Sequence, residues 1–422
     1  MSSDDTGAPA TPTEPEPIRF GQRLQILRER RGMTREVLAG LVGKSTETIR
    51  AIEKGRHKAP GLDMVLALAE ALRVRDLTDL VGTHTGRPAV GLFAGPGHAR
   101  LPEVRDAINS LSLTTRHEAP PAAHLQARLG RAWSARHSSP DHREVIGRLL
   151  PDLIRDAQLA VRQAEAAVDR RAAQAVLSEV YSLSQFFIAY QADAAELLWR
   201  VAERGMVAAQ EAEDPHAIGV AAWLAAQAHR DSGPGHYDAA DAVTLEVLQY
   251  LEPLLPDATT PVLAIAGALR FEAGYTAARR GDTGTAWAYW DQARTVADRL
   301  PADYYHPATS FSRAIMGAHA TTVAVELHAG GEAARQAVRA EAAVIPSRPR
   351  RARHRIEQAR AWQLDGQPDV ALATLAQAHE AAPETIRYNG YARKILLEET
   401  ESTVAARRER AARLAVKIGL LS

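Results

Sequence analysis

No cysteine occurs among the 422 residues, which removes disulfides, thiolate zinc sites and cysteine nucleophiles together. The same lack fits a reducing compartment, and a cytoplasmic location is expected. Long hydrophobic runs are missing too. The most apolar stretch, near Val262 to Leu269, falls far short of the roughly 18 to 20 residues of a membrane span, so no membrane partner is expected. The first seventeen residues have neither a basic nor an apolar segment and place Asp4, Asp5, Glu14 and Glu16 among Ser, Thr and Pro, so they read as a disordered acidic tail rather than a signal peptide. Catalytic signatures are equally scarce. No two of the fifteen histidines are four residues apart, no Gly-x-Ser-x-Gly elbow occurs, and no paired carboxylates rise above the solvated Glu background. The Gly-Pro-Gly triplets at 95–97 and 233–235 lack the Lys-Ser/Thr of a phosphate loop and read as turns. Neither an enzyme, a metal nor a cofactor is expected.

What is present is an ordinary globular composition, 46% apolar and 24% charged, in a chain too long for one hydrophobic core. At least two units follow. The formal net charge is zero but unevenly spread: residues 18–82 hold thirteen Lys and Arg against eight Asp and Glu, the tail holds four acids, and the remainder is close to neutral. A basic domain on a neutral body is what contact with phosphates requires.

Within that basic stretch, Phe20, Leu24 and Leu27 mark a helix stopped at Gly32. Thr34 caps a second helix with Val37, Leu38 and Leu41 as its apolar face, ending at Gly43. Ser45 caps a third, with Ile49 and Ile52 inward and Gly55 as its stop. Pro60 and Gly61 open a fourth, carrying Val65, Leu66, Leu68, Ala69 and Leu72, and Leu77, Leu80 and Val81 supply a fifth. The pattern Leu24-x-x-Leu-Arg28-x-x-Arg31-Gly32-Met33-Thr34, Leu38-Ala39-x-Leu41-Val42-Gly43, Ile49-Arg50-x-Ile52-Glu53-Lys54-Gly55 resembles the lambda-repressor-like (XRE) helix-turn-helix family. The resemblance implies a five-helix DNA-binding domain over 18–82. Arg35 departs from the Gln usual in the family at the start of the second helix, and Arg serves a phosphate there equally well.

Residues 83–97 are rich in Gly and Pro and read as a linker. From 98 to 422 helix-forming residues dominate and alternation is almost absent, so the chain as a whole is expected to be all-α. Candidate hairpin turns lie at Gln191-Ala192, Ser232 to Gly235, Gly281-Asp282, Gly330-Gly331 and Asp365-Gly366. Tyr275-x-x-Ala278-Arg-Arg-Gly281-Asp282 before Ala286 to Ala297, and Ala359-Arg-Ala361 with Asp-Gly366 before Ala371-Leu372, Ala376, Ala378 and Ala382-Pro383, resemble tetratricopeptide (TPR) repeats. That implies an α-solenoid, because one hairpin cannot bury its apolar face alone.

Placed on this framework, the third helix would enter the major groove with Ser45, Thr46, Glu47 and Thr48 toward base edges and Arg50 one turn further. Glu47 and Arg50 are also spaced for an i, i+3 ion pair. Arg35, Lys44, Arg56 and Lys58 are the phosphate-clamp candidates. For the array, the first helices of the hairpins should line a groove, and Tyr181, Gln185, Trp223, Gln227, Arg230, Arg270 and Tyr275 are its candidates. Together the two resemblances imply a sequence-specific transcription regulator, a homodimer on double-stranded DNA, with an array that senses a ligand. Peptide-sensing receptors, which this architecture resembles, hold the peptide backbone with repeated Asn side chains, and this chain has only Asn109 and Asn389, so a peptide held by an Asn ladder is disfavoured, although Gln and Arg could substitute; peptide, small molecule and protein partner all stay open. The competing reading is a solenoid interaction adaptor whose helix-turn-helix no longer reads DNA.

These assignments separate reading from clamping. Arg50→Ala should cost about 1 to 3 kcal/mol on the cognate operator and relax preference at one base pair, whereas Lys58→Ala should weaken cognate and scrambled duplexes alike and flatten the salt dependence by about one phosphate. Binding isotherms for both variants across a salt series check this. Equal losses on both duplexes for Arg50→Ala would make Arg50 a clamp.

Overall fold

Gly32, Gly43 and Gly55 adopt φ of +62°, +63° and +66°, the left-handed backbone that ends a helix without a Cβ penalty. They close the first three helices of the computed structural model, which describes residues 20–55, 60–72, 74, 80, 97–111, 117–191, 194–340 and 344–421. The helices are α1 (Phe20–Arg30), α2 (Arg35–Leu41), α3 (Thr46–Glu53) and α4 (Leu62–Ala71). Thr34 Oγ1 accepts from Val37 N and Ser45 Oγ from Thr48 N, as caps should. Leu24, Leu38, Ile49, Ile52, Leu68, Leu72 and Leu80 form the core. One expectation is overturned. Val37 and Leu41 do not face inward but are 50% and 59% exposed; on a helix of only seven residues Leu38 is followed inward by Ala39 and Val42, so the two flanking apolar residues turn out to solvent. At Gly21 a Cβ would come 2.3 Å from the carbonyl oxygen of Ile52, so α1 crosses α3 at a distance that only glycine allows. The acidic tail, most of the fifth helix and all but Gly97 of the linker lie outside the described residues.

Contacts divide the chain into units of residues 1–89 and 90–422. Among its described residues the second unit is helical throughout: α5 (Leu101–Asn109), α6 (Ala122–Ser138), α7 (His142–Gln163), α8 (Ala167–Ile188), α9 (Ala195–Ala212), α10 (Pro215–Asp231), α11 (Tyr237–Leu251), α12 (Thr260–Arg280), α13 (Thr283–Arg299), α14 (Met316–Glu326), α15 (Gly330–Arg339), α16 (Arg348–Leu364), α17 (Pro368–Ala381), α18 (Pro383–Arg387), α19 (Gly390–Thr400) and α20 (Ala405–Lys417). Pairs α8/α9, α10/α11, α12/α13, α14/α15 and α16/α17 are hairpins, and their first helices α8, α10, α12, α14 and α16 pack side by side as an inner layer. Turns fall at Gly281-Asp282 and Asp365-Gly366 as the spacing implies. Gly330-Gly331 is different: the turn is over Leu327 to Ala329, and both glycines belong to α15. A Cβ on Gly330 would lie 2.7 Å from Leu364 O, so close helix packing, rather than a turn, requires glycine there.

The array curls until its ends meet. His137 Nδ1 lies 2.9 Å from Ser347 Oγ and His142 Nε2 lies 3.0 Å from Thr385 Oγ1, contacts that span 210 and 243 residues. At the start of α7, Asp141 makes no side-chain cap; the carboxylate of Glu384 instead accepts from Arg143 N and Glu144 N, capping the helix from the far end of the array and complementing its dipole.

Burial holds several of this unit's imidazoles neutral. It lowers His137 and His354 to about 4 each, with neighbouring arginines adding to the effect, and places His142, His306 and His319 well below the usual range. Unfolding returns each to its ordinary value near 6.5, so below that pH the unfolded chain binds more protons than the folded one and stability falls. Each tenfold loss of proton affinity in the folded state is worth about 1.4 kcal/mol. The melting temperature of the full chain should therefore drop steeply between pH 6.5 and 4 and change little from 7 to 8. A flat profile through the acid window would show these rings to be accessible to protons.

Candidate nucleic-acid interface and ligand cavity

On α3 the inward side is Ile49, Ile52 and Glu53, which leaves Glu47, Arg50 and Lys54 exposed on the other side. Ser45 Oγ is 2.9 Å from Thr48 Oγ1, so both hydroxyls are engaged in the cap, while Thr46 is half-buried. Arg50 Nη1 stands 3.7 Å from Glu47 Oε2, with both side chains more than half exposed. An ion pair so open to water is worth little and is readily exchanged for another partner. Lys44 is exposed, and so is Lys54, which the sequence reading passed over. Arg56 and Lys58 lie outside the described residues.

Arg35 is less free than a clamp. Its Nε donates to Glu53 Oε2 at 2.6 Å. Glu53 is itself buried and receives Arg28 Nε at 2.6 Å and Nη2 at 3.2 Å, while Arg28 Nη1 donates to the carbonyl of Met33. One carboxylate thus ties α1, α2 and α3 together through charge-assisted bonds. Arg35 therefore serves the fold at least as much as the surface.

In the array, the inner helices line a partly open cavity of about 580 Å³, within the usual range for a small-molecule site. Gln185 reaches it from α8; Trp223, Gln227 and Arg230 from α10; Glu272 and Tyr275 from α12. Two of the groove candidates are elsewhere: Tyr181 is buried behind the wall and its hydroxyl accepts from Gln158 Nε2 at 3.0 Å, and Arg270 pairs with Glu252 at 2.8 Å. Arg230 is a structural cation rather than a free one. It is buried against the carboxylate of Glu272, lies 3.3 Å from Asp231 and stacks 4.0 Å over the Tyr275 ring. Burial pushes the Tyr275 phenol well up, so it acts as a neutral hydroxyl.

The cavity has a polar wall that sequence reasoning missed. Arg136 and Arg143 come from α6 and α7, and α16 adds Arg350, Arg353, His354 and Glu357. A signal was there. Positions 350, 353, 354 and 357 have the spacing of a core stripe but are all charged or titratable, which on a helix packed by neighbours means a polar interior.

Residues 19–80 match a family model described as a helix-turn-helix domain. Among solved structures, ComR from S. thermophilus, in complex with DNA and its signalling peptide ComS, is similar at 17% identity and a TM-score of 0.22, over 59% of this chain and 98% of that one. The apo form of the competence regulator ComR from Streptococcus vestibularis is similar at 17% identity and a TM-score of 0.27, over 67% of this chain and 92% of that one. No curated protein matches the chain.

The Glu53 node has a measurable consequence. Glu53→Ala takes from the buried Arg28 guanidinium its main counter-charge, leaving it the exposed Glu29 carboxylate and the Met33 carbonyl, and should cost about 3 kcal/mol. Hydrogen exchange of the full chain should then lose protection in peptides from 20–55 and keep it in the array. Unchanged protection in the head would reduce the node to a surface-like pair.

Proposed function

We propose that this chain is a sequence-specific, DNA-binding transcription regulator whose helical array binds a ligand in its cavity and passes that event to the head. The observation that carries the reading is the head itself: a helix-turn-helix domain whose third helix is capped by Ser45, locked inward by Ile49 and Ile52, and open on the side of Glu47 and Arg50. This geometry suits entry into a major groove N-terminus first. Thr46, Glu47 and Arg50 are the readers in this proposal, since an exposed carboxylate and an exposed guanidinium discriminate cytosine N4 from guanine O6 and N7. Ser45 and Thr48 read only by giving up their mutual bond. Lys44 and the outer part of Arg35 hold phosphates, with Arg56 and Lys58 assigned the same role on sequence alone. The working division is a head over 18–82, a linker over 83–97 and a sensor over 98–422. Among the described residues no helix is long and apolar enough to cross a membrane.

Two heads acting together complete the proposal, because one small domain offers few phosphate contacts and binds weakly. A homodimer would then read half-sites about 34 Å apart. Full-length protein on genomic fragments, titrated at two salt concentrations and sized by sedimentation with the selected operator, tests this. A selected sequence that retains its preference at the higher salt, bound by two chains, is the expected result. Loss of all preference over scrambled DNA would leave an interaction adaptor instead, and a single chain on the operator would remove the dimer while keeping the DNA reading.

A further inference from the structure

Five arginines face the cavity, and two of them are neutralised. Arg230 has Glu272 and Asp231, and Arg353 has Glu357 at 2.9 Å. Arg136, Arg143 and Arg350 have no ion pair among the described residues. Arg136 is 9% exposed, its Nε has no partner, and its one hydrogen-bond contact among the described residues is His137 Nδ1 at 3.4 Å, with the Tyr305 phenol near enough to be felt. Its charge rests on the faces of Phe186 at 4.1 Å and Trp133 at 5.8 Å. Arg143 donates to the carbonyls of Phe187 and Ala189, with Glu384 near enough to be felt, and its Nε is also without a partner; so is the Nε of Arg350. Burial is the larger cause that brings Arg136 down to about 10, and the positive charges of Arg143 and Arg350 add to it.

A buried, unpaired guanidinium is costly, and water in the cavity solvates it only in part. The groups beside it are ready for a ligand as well. His319 Nδ1 is buried without a partner, and His319 stacks at 3.5 Å on Phe271. The lining also includes Leu198, Trp199 and Trp223, a surface for an apolar or aromatic body. We infer that the cavity takes an organic anion, with Arg136 and Arg350 facing its carboxylate or phosphate and the aromatic wall holding the rest. This rests on the sensor reading above and names the chemistry that sensor would respond to. Two sources present that chemistry: a small aromatic acid or phosphate ester, and the C-terminal carboxylate of a short peptide.

Thermal melts of the full chain distinguish these, using indole-3-acetate, phenyl phosphate and alanyl-alanyl-phenylalanine, each against its neutral counterpart (the two amides, and phenol) at matched ionic strength. The expected result is a rise in melting temperature with at least one anion, none with its neutral counterpart, and a response lost in Arg136→Met, whose melting temperature without ligand is at or above that of the parent because an unpaired buried charge has gone. Should Arg136→Met fail to fold, Arg350→Met provides the same reading, with affinity down about tenfold or more from the loss of a charged hydrogen bond. Which anion responds identifies the source. The inference is overturned by equal shifts with an anion and its neutral form, by a response that survives both substitutions, or by no response to any probe up to about 10 mM, where even a weak site is filled. Operator binding separates the two levels: an anion that binds but leaves operator affinity unchanged removes the sensor reading and keeps the site, whereas intact operator binding with no anion response removes the site alone.

Discussion

The carboxylate of Glu384, held on the backbone N–H groups of Arg143 and Glu144, fastens the last hairpins of the array to the first, and the shape of the cavity depends on that fastening. A stack of hairpins left open presents a concave groove to solvent. Here α6 and α7 are brought against α16 and α18, so Arg136 and Arg350, more than two hundred residues apart, become walls of one chamber. The arginine next to that cap, Arg143, is then committed on three sides: its N–H to Glu384, its guanidinium to the carbonyls at the end of α8, and its face to Tyr388 at 4.7 Å. Closure and cavity share a residue, so a change in one is felt in the other.

Charge is handled in opposite ways in the two units. In the head, Glu53 is matched by two arginines and the node is satisfied, which leaves the exposed residues of α3 to act on something outside the protein. In the array, arginines outnumber the acids that face them and burial keeps them from water. A satisfied interior with a charged exterior suits a rigid reading head, whereas an interior left short of anions suits a chamber that changes when it is filled.

The head was the legible part, and the reason is local. Gly32, Gly43 and Gly55 end helices because of their own φ, and Thr34 and Ser45 start them by bonding three residues ahead, so each signal acts within one turn of where it is written. The error on Val37 and Leu41 came from the same locality: four apolar residues in seven do not state which of them face a partner that lies elsewhere in the chain. Gly281-Asp282 and Asp365-Gly366 were likewise readable as turns, whereas Gly330 answers to Leu364 and so looked like a turn without being one. On the cavity wall, Gln185, Trp223, Gln227, Arg230 and Tyr275 were found by their spacing, but Arg136, Arg143, Arg350 and Arg353 were not, because a guanidinium on a helix is ordinarily solvated. Only the closure of the array turns it inward. Glu384 itself is one glutamate among many, and nothing in its neighbours announces a helix end some 240 residues earlier.

That long reach bears on how the array holds together. An open stack of repeats frays from either end, because each hairpin touches only its neighbours. Joining the ends adds contacts of very high sequence separation, whose entropy cost is met only after the intervening chain has been ordered. The array should therefore behave less like a zipper and more like a hoop, in which every stave is needed. Its circumference is fixed as well: adding or deleting a single hairpin would move Glu384 past the start of α7 and leave that helix end facing an open gap.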